Sequence, residues 1–340
     1  MVTVGVVGAG FMGQMHATCH SLLPNAKLVG IADVEKDRAA ALADKFSVAA
    51  YRCLEELVRE AKPDVVDICL PTYMHAEAVI EAASLGKHIL CEKPMARTLA
   101  EADRMIAVVK KARVKFMVAQ CIRFWPEYVE LKKAVDSRRL GRLTSLWMSR
   151  MSPTPTWAWK NWLLNPSKSG SALLDLHIHD VDYLLYLLGK PRAVSSVSVK
   201  TKIGHSHIYT VYSYPGRAVV ACGGWDLPAG YPFNMAFRAN FEKGTLVFNA
   251  DGMTGLNLCE GDRKPEPMPV ERPKAEGTVA GGNISDLGGY YNELKYFIDC
   301  VEKGEEPIVV TPKDARNSLA VVLAEQKSAE TGRPVKIALK

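Results

Sequence analysis

Two short stretches of this chain carry polar side chains at spacings that chemistry uses and a hydrophobic core does not. The first is Ser169-Gly170-Ser171-Ala172-Leu173-Leu174-Asp175-Leu176-His177-Ile178-His179-Asp180-Val181-Asp182. On an α-helix, which turns about 100° per residue, Asp175, His179 and Asp182 stand at i, i+4 and i+7 and share one stripe. Leu174, Ile178, Val181, Leu184, Leu185 and Leu188 give the same helix an apolar face, and Gly189 and Pro191 end it. A carboxylate beside an imidazole orients the ring and raises its basicity, which suits proton transfer. His177 and His179 could also begin a zinc site with Asp175 or Asp180, but they point about 200° apart on a helix and do not easily share one metal ion, so no metal site is assigned. The second stretch is Cys91-Glu92-Lys93-Pro94, which leaves an apolar strand at the edge where parallel sheets bind ligands. Lys93 there either faces a ligand or is an exposed turn residue.

A third motif names a cofactor. Gly8-Ala9-Gly10-Phe11-Met12-Gly13 lies between a strand and a helix, as the dinucleotide fingerprint requires. Gly8 allows the tight turn, Gly10 the approach of a pyrophosphate, and Gly13 close packing of helix on strand, while the helix N-terminus offers positive dipole. Asp33 follows at the end of the second strand, placed to accept hydrogen bonds from the adenosine ribose and to repel a 2′-phosphate. NAD is therefore preferred over NADP, although Lys36 and Arg38 stand near enough in sequence to keep both open.

Those motifs need elements to hold them. Strands are predicted at Val2–Val7, Leu28–Ala32, Val65–Leu70, His88–Glu92 and Phe116–Ala119, alternating with helices at Phe11–Leu22, up to Phe46, Leu54–Glu60, His75–Leu85 and Leu99–Ala112. This alternation predicts an α/β doubly wound parallel sheet over residues 1–120. Beyond it, apolar runs at Leu143–Met151, Ala193–Ile203, His207–Tyr214, Ala218–Trp225, Asn234–Asn240 and Thr245–Asn249 are divided by turns. They predict an α+β domain over residues 121–340 with a mainly antiparallel open sheet. Asp262–Asp286 reads as a long surface loop, followed by helices at Tyr290–Glu302 and Lys313–Thr331.

Composition excludes several classes. The 340 residues are 48% hydrophobic and 24% charged, as in a folded globular protein. The net charge of +6 is spread thinly, so nucleic acid is not implied. Eight scattered cysteines, never in a Cys-x-x-Cys pair, read as reduced thiols, and no membrane span or signal segment is recognised. A cytoplasmic location is the resulting expectation.

With these pieces in place, the chain resembles the Gfo/Idh/MocA oxidoreductases over nearly its whole length. The resemblance rests on residues 8–13, the Asp33 strand end, Pro71-Thr72-Tyr73-Met74-His75, Cys91–Pro94, Arg123-Phe124-Trp125-Pro126, residues 169–182 and the closing Tyr290–Val335 region. It implies a catalytic set of Lys93, Asp175 and His179, and a cis bond before Pro94 that aims Lys93 at the substrate hydroxyl. It also implies Thr72, His75 and Glu92 at the nicotinamide end, and Arg123 near cofactor and substrate.

The chain departs from the family pattern in two places. Gly170-Ser171-Ala172 replaces a run of three glycines, and His177 stands where a small residue is frequent, at a pocket rim or in a helix contact. Trp157, Trp159 and Trp162 lie in a proline-marked loop; Trp159 and Trp162 are read as sugar-stacking residues, with packing of the loop as the alternative. The activity implied is reversible NAD-dependent oxidation of a secondary alcohol on a sugar, polyol or cyclitol. A redox-neutral NAD-dependent glycosidase and a non-catalytic sugar or NAD sensor are the alternatives. Relatives commonly pair through the open sheet, so a homodimer or homotetramer is expected.

Overall fold

Strands that are apolar on both faces must be covered on both, and the central strands of the first half of the protein are of this kind. In the computed structural model, which describes residues 1–273 and 287–339, the order is β1 (Val2–Val7), α1 (Phe11–Leu22), β2 (Ala26–Ala32), α2 (Lys36–Phe46), β3 (Ala49–Tyr51), α3 (Leu54–Ala61) and β4 (Val65–Ile68). A short 3₁₀ turn at Thr72–Met74 leads to α4 (His75–Ser84), β5 (His88–Glu92), α5 (Leu99–Ala112) and β6 (Phe116–Ala119). All six strands pair in parallel, in the order β3-β2-β1-β4-β5-β6. The order reverses between β1 and β4, so the turns that follow these two strands flank the switch point where open α/β sheets bind ligands. The three-residue β3 escaped the sequence reading because so short a run carries no periodicity of its own.

The chain then continues through α6 (Pro126–Ser137), β7 (Leu143–Pro153), α7 (Pro166–Ser169), a single π-helical turn at Leu173–His177 and α8 (Ile178–Leu188). Strands β8 (Ala193–Thr201), β9 (Gly204–Tyr214), β10 (Arg217–Leu227), β11 (Asn234–Phe241), β12 (Gly244–Phe248), β13 (Leu256–Glu260) and β14 (Glu266–Pro267) follow. After them come α9 (Gly288–Lys303), α10 (Pro312–Thr331) and β15 (Val335–Lys336). These form a nine-stranded mixed sheet, β14-β13-β12-β11-β7-β10-β9-β8-β15, in which β7 and β10 run parallel and the other described pairs antiparallel. Of the surface loop expected at 262–286, the first part holds the short edge strand β14, and residues 274–286 lie outside those described.

The chain divides into two compact units: Met1–Cys121 with Trp157–Trp162 and Pro273–Arg316, and Ile122–Thr156 with Leu163–Arg272 and Asn317–Lys340. A single cut near residue 120 thus leaves out two returns to the first unit. The second return has a physical cause: α9 buries Leu294, Phe297 and Ile298 and packs on α1. In the second unit, β9 alternates buried and exposed residues, with Tyr212 and Tyr214 inward and Tyr209 and Val211 outward. The outward side, with Val197 and Val199 of β8, is left exposed.

Candidate active site

The glycine turn after β1 has the shape a dinucleotide needs. Gly8 adopts φ +104°, and a Cβ on Gly13 would fall 1.7 Å from the Gly8 carbonyl oxygen, so neither position admits a side chain. The helix α1 opens at Gly10 with no side-chain cap and no acid in its first turn, which leaves its N–H groups to an anion. Phe11 and Met12 are half-buried in that first turn. Thr72, in the 3₁₀ turn that follows β4, is buried, and its hydroxyl finds no hydrogen-bond partner among the described residues. These features fit NAD: the Gly8–Gly13 turn would hold the pyrophosphate, Asp33 the adenosine ribose and Thr72 a polar group further along.

Asp33 is fixed before any ligand arrives. Its Oδ2 accepts the Ala9 N–H at 2.7 Å and Arg38 Nη2 at 3.1 Å, and its Oδ1 accepts the Glu35 N–H at 2.8 Å. Trp159 belongs to this end. Its indole N–H donates to Glu35 at 3.0 Å, Lys160 meets the same carboxylate at 3.1 Å, and the Arg38 guanidinium lies 5.9 Å from the Trp159 ring centre. The hydrogen bond to Glu35, whose own N–H is held by Asp33, ties Trp159 beside Asp33. Trp162 instead packs edge-on against Tyr73, with ring centres 6.4 Å apart, next to Thr72.

Beyond β5, the Lys93–Pro94 bond is cis, as the resemblance implied. From Ile89 to Ala96 only Lys93 is not fully buried. The Glu92 carboxylate turns inward, accepting the Lys93 N–H at 3.0 Å and meeting His16 Nε2 at 3.0 Å. His75 is also turned in: its two ring nitrogens lie 2.8 Å from the Pro94 and Leu70 carbonyl oxygens. Burial keeps its pKa below the ordinary value despite those two acceptors. Glu92 and His75 therefore brace the turn around Lys93.

In the second unit the stretch 169–182 is not one regular helix. The Ile178 N–H reaches back to the Leu173 carbonyl, and the π turn changes the phase of everything after it. From Ser171 to Leu184 only Asp175 and His179 are not fully buried. Asp182, expected on their stripe, is instead buried, accepting Arg123 Nε at 2.7 Å, Arg123 Nη2 at 2.8 Å and the Ser318 hydroxyl at 2.8 Å. The Arg123 guanidinium is thus paired with Asp182 and lies over the Tyr186 ring. Asp180 is likewise bound to buried Arg150, 2.9 Å from its Nη2. His177 is an interior contact, its Nε2 3.2 Å from Glu325 and 3.3 Å from the Tyr212 hydroxyl. Gly223 makes room for it, since a Cβ there would stand 3.1 Å from His177 Nδ1.

The sequence reading missed His16, His20 and Asp67. The signal was present: Asp67 interrupts the apolar run of β4, and a carboxylate that is wholly buried needs partners. His16 Nδ1 lies 2.9 Å and His20 Nε2 2.8 Å from Asp67 Oδ2.

Comparison with known proteins agrees with this construction. Residues 2–120 match the family model described as "Oxidoreductase family, NAD-binding Rossmann fold", and residues 128–247 match the "GFO/IDH/MocA C-terminal domain". The myo-inositol 2-dehydrogenase of Thermotoga maritima is 30% identical over 347 residues, covering 98% of each chain. The chain belongs to the Gfo/Idh/MocA oxidoreductase family. Another member, the scyllo-inositol 2-dehydrogenase (NAD(+)) of Bacillus subtilis, is 28% identical, covering 100% of this chain and 97% of that one. A levoglucosan dehydrogenase solved with NADH and levoglucosan shares the fold of this Gfo/Idh/MocA chain, with a TM-score of 0.82 at 24% identity and 99% of each chain covered.

Proposed function

We propose that this chain is a dehydrogenase that uses NAD to oxidise, reversibly, a secondary alcohol of a sugar, polyol or cyclitol. The observation that carries the reading is the selective exposure of three residues. Lys93 alone reaches solvent from Ile89–Ala96, and Asp175 and His179 alone from Ser171–Leu184, in segments otherwise fully buried. An ammonium, an imidazole and a carboxylate kept at the surface of such segments suit proton transfer to and from a hydroxyl. The inositol dehydrogenases among the relatives supply the substrate class.

Bound NAD supplies the hydride acceptor. His179 takes the hydroxyl proton, Asp175 sets the imidazole's orientation, and Lys93 donates a hydrogen bond to the oxygen on which charge builds. The exposed side of the second sheet supports a homodimer. Val197, Val199, Tyr209 and Val211 are 68, 53, 51 and 55% exposed there, an apolar set that water does not favour. Among the described residues no helix is long and apolar enough to cross a membrane, and none of the eight cysteines is in a disulfide, which supports a reducing, cytoplasmic setting.

The test is the appearance of reduced nicotinamide absorbance with a panel of aldoses, inositols, sugar acids and anhydrosugars, NAD and NADP being offered separately. Turnover with NAD, reduced by about 10²-fold or more in Lys93→Ala with NAD affinity retained, supports the reading. Sugar release without accumulation of reduced cofactor transfers it to the redox-neutral glycosidase. Binding without turnover across the panel transfers it to the sensor.

A further inference from the structure

His16 stands three residues beyond the last glycine of the cofactor turn, and it is completely buried. Both of its ring nitrogens face carboxylates: Nδ1 lies 3.0 and 2.9 Å from the two oxygens of Asp67, and Nε2 lies 3.0 Å from Glu92 Oε1. A neutral imidazole has one N–H and would turn a lone pair on one of these anions, whereas an imidazolium hydrogen-bonds Asp67 through Nδ1 and faces the Glu92 carboxylate with positive charge at 3.0 Å. The other oxygen of Glu92 accepts the backbone N–H of Lys93 at 3.0 Å. A continuous line of contacts therefore runs from β4 through α1 to the residue that the proposed function places on the substrate oxygen.

We propose that His16 is a positioning residue for Lys93: as an imidazolium bridging Asp67 and Glu92, it fixes the carboxylate that holds the Lys93 peptide. Rotation of Glu92 away from His16 would free the Lys93 N–H and let the ammonium wander. The link also ties this carboxylate to α1, whose N-terminus forms the cofactor turn. Burial opposes protonation of His16, but the charge and hydrogen bond of Asp67 outweigh it and hold its pKa well above 6.5. Other ionisable groups lie close to it or to its partners: Cys69 just past β4, Cys91 from β5, Cys19 from α1 and Tyr290 from α9, with His20 on Asp67 and Glu293 beside Cys19 and Tyr290. Burial keeps the cysteine thiols and the Tyr290 phenol protonated, and the carboxylates within 3.0 Å of the His16 ring nitrogens are those of Asp67 and Glu92. His16, Asp67 and Cys69 also lie within 4.8 Å of one another, as metal ligands would, but burial keeps Cys69 a thiol and the His16 Nδ1 is already bonded to Asp67.

The proposal rests on the assignment of Lys93 to the reaction, and two measurements separate the two ideas. In ¹⁵N-histidine NMR of the wild-type chain without cofactor, His16 should show both nitrogens protonated at pH 7 and should become neutral at that pH in Asp67→Asn. A neutral His16 in the wild type overturns the proposal whatever Lys93 does. In kinetics, His16→Gln and Glu92→Gln should each lower kcat at least about tenfold, the double variant should lose no more than the worse single one, and the KM for NAD should stay within about twofold. A pH profile adds the sign: losing the His16 cation should raise the pH of the limb that reports Lys93, and losing the Glu92 anion should lower it, which a merely loosened structure would not do. Losses that multiply in the double variant, or limbs that stay put, overturn the positioning role. Full turnover in Lys93→Ala instead removes the assignment of Lys93 and leaves the NMR result standing.

Discussion

Arg123 and Asp182 meet through two hydrogen bonds, Nε to Oδ2 at 2.7 Å and Nη2 to Oδ1 at 2.8 Å, and both side chains are almost wholly buried. The pair joins the turn after β6 to α8, the helix that carries His179. Removing one partner leaves an uncompensated buried charge, so Arg123→Ala should destabilise the fold by about 3–5 kcal/mol. Arg123→Lys should lose less, since it keeps the charge but not the planar fork. Urea unfolding of each variant measures this. An Arg123→Ala protein that unfolds like the wild type while its substrate KM rises would return Arg123 to the substrate.

Cofactor choice turns on Asp33 and Arg38, 3.1 Å apart. Asp33→Ser removes the acceptor for the ribose hydroxyls and releases the guanidinium toward a 2′-phosphate. The ratio of NAD to NADP affinity should shift toward NADP by about 10²-fold, or about 2.7 kcal/mol. Titration calorimetry with each dinucleotide decides it, and an unchanged ratio would remove Asp33 from the discriminating role.

Stability should depend on pH through His16 and Asp67 with opposite signs. The pKa of His16 is raised when folded, so its contribution is complete below 6.5 and is lost as pH rises through the higher folded value. Burial would raise the pKa of Asp67, but His16 and His20 hold it below 3.8, so its contribution is complete above 3.8 and is lost as pH falls through the lower folded value. The wild-type advantage over His16→Gln, read from urea midpoints, should shrink steadily as pH is raised above 6.5. A difference that grows over that interval would contradict the bridged imidazolium.

Ser171 occupies φ +64°, a left-handed conformation that favours glycine. Ser171→Gly should raise stability by up to about 1 kcal/mol, and the β-branched Ser171→Val should lower it. Thermal melts check both, and a stabilising valine would mean that strain at this position is not significant.

Val211→Glu, on the exposed side of the second sheet, should leave the fold intact and yield a monomer. Sedimentation velocity of wild type and variant settles it. A wild-type monomer, or a variant that still pairs, would exclude this face as the interface.

Much of the architecture was legible because it rests on local chemistry. The strands β1, β5 and β6 and the helices α1 and α5 begin and end where their apolar runs, glycines and caps dictate, and the glycine turn is fixed by the space that its neighbours leave. Lys93, Asp175 and His179 were also visible, as polar residues beside apolar runs. The chain alone likewise carried the family resemblance, since its motifs keep their spacing from Gly8 to Val335.

What the sequence could not determine is which polar residues face each other across long separations. Arg123 finds Asp182, His16 finds Glu92, and Trp159 finds Glu35, partners 59, 76 and 124 positions away. Periodicity is a property of one element. Whether a charge on that element is spent on a buried partner or left for a ligand is decided only when another element is laid against it. The π turn at Leu173–His177 belongs to the same class: one longer backbone hydrogen bond turns Asp182 inward and leaves Asp175 and His179 at the surface. The cost of burying an unpaired charge then enforces the arrangement that the tertiary structure selects.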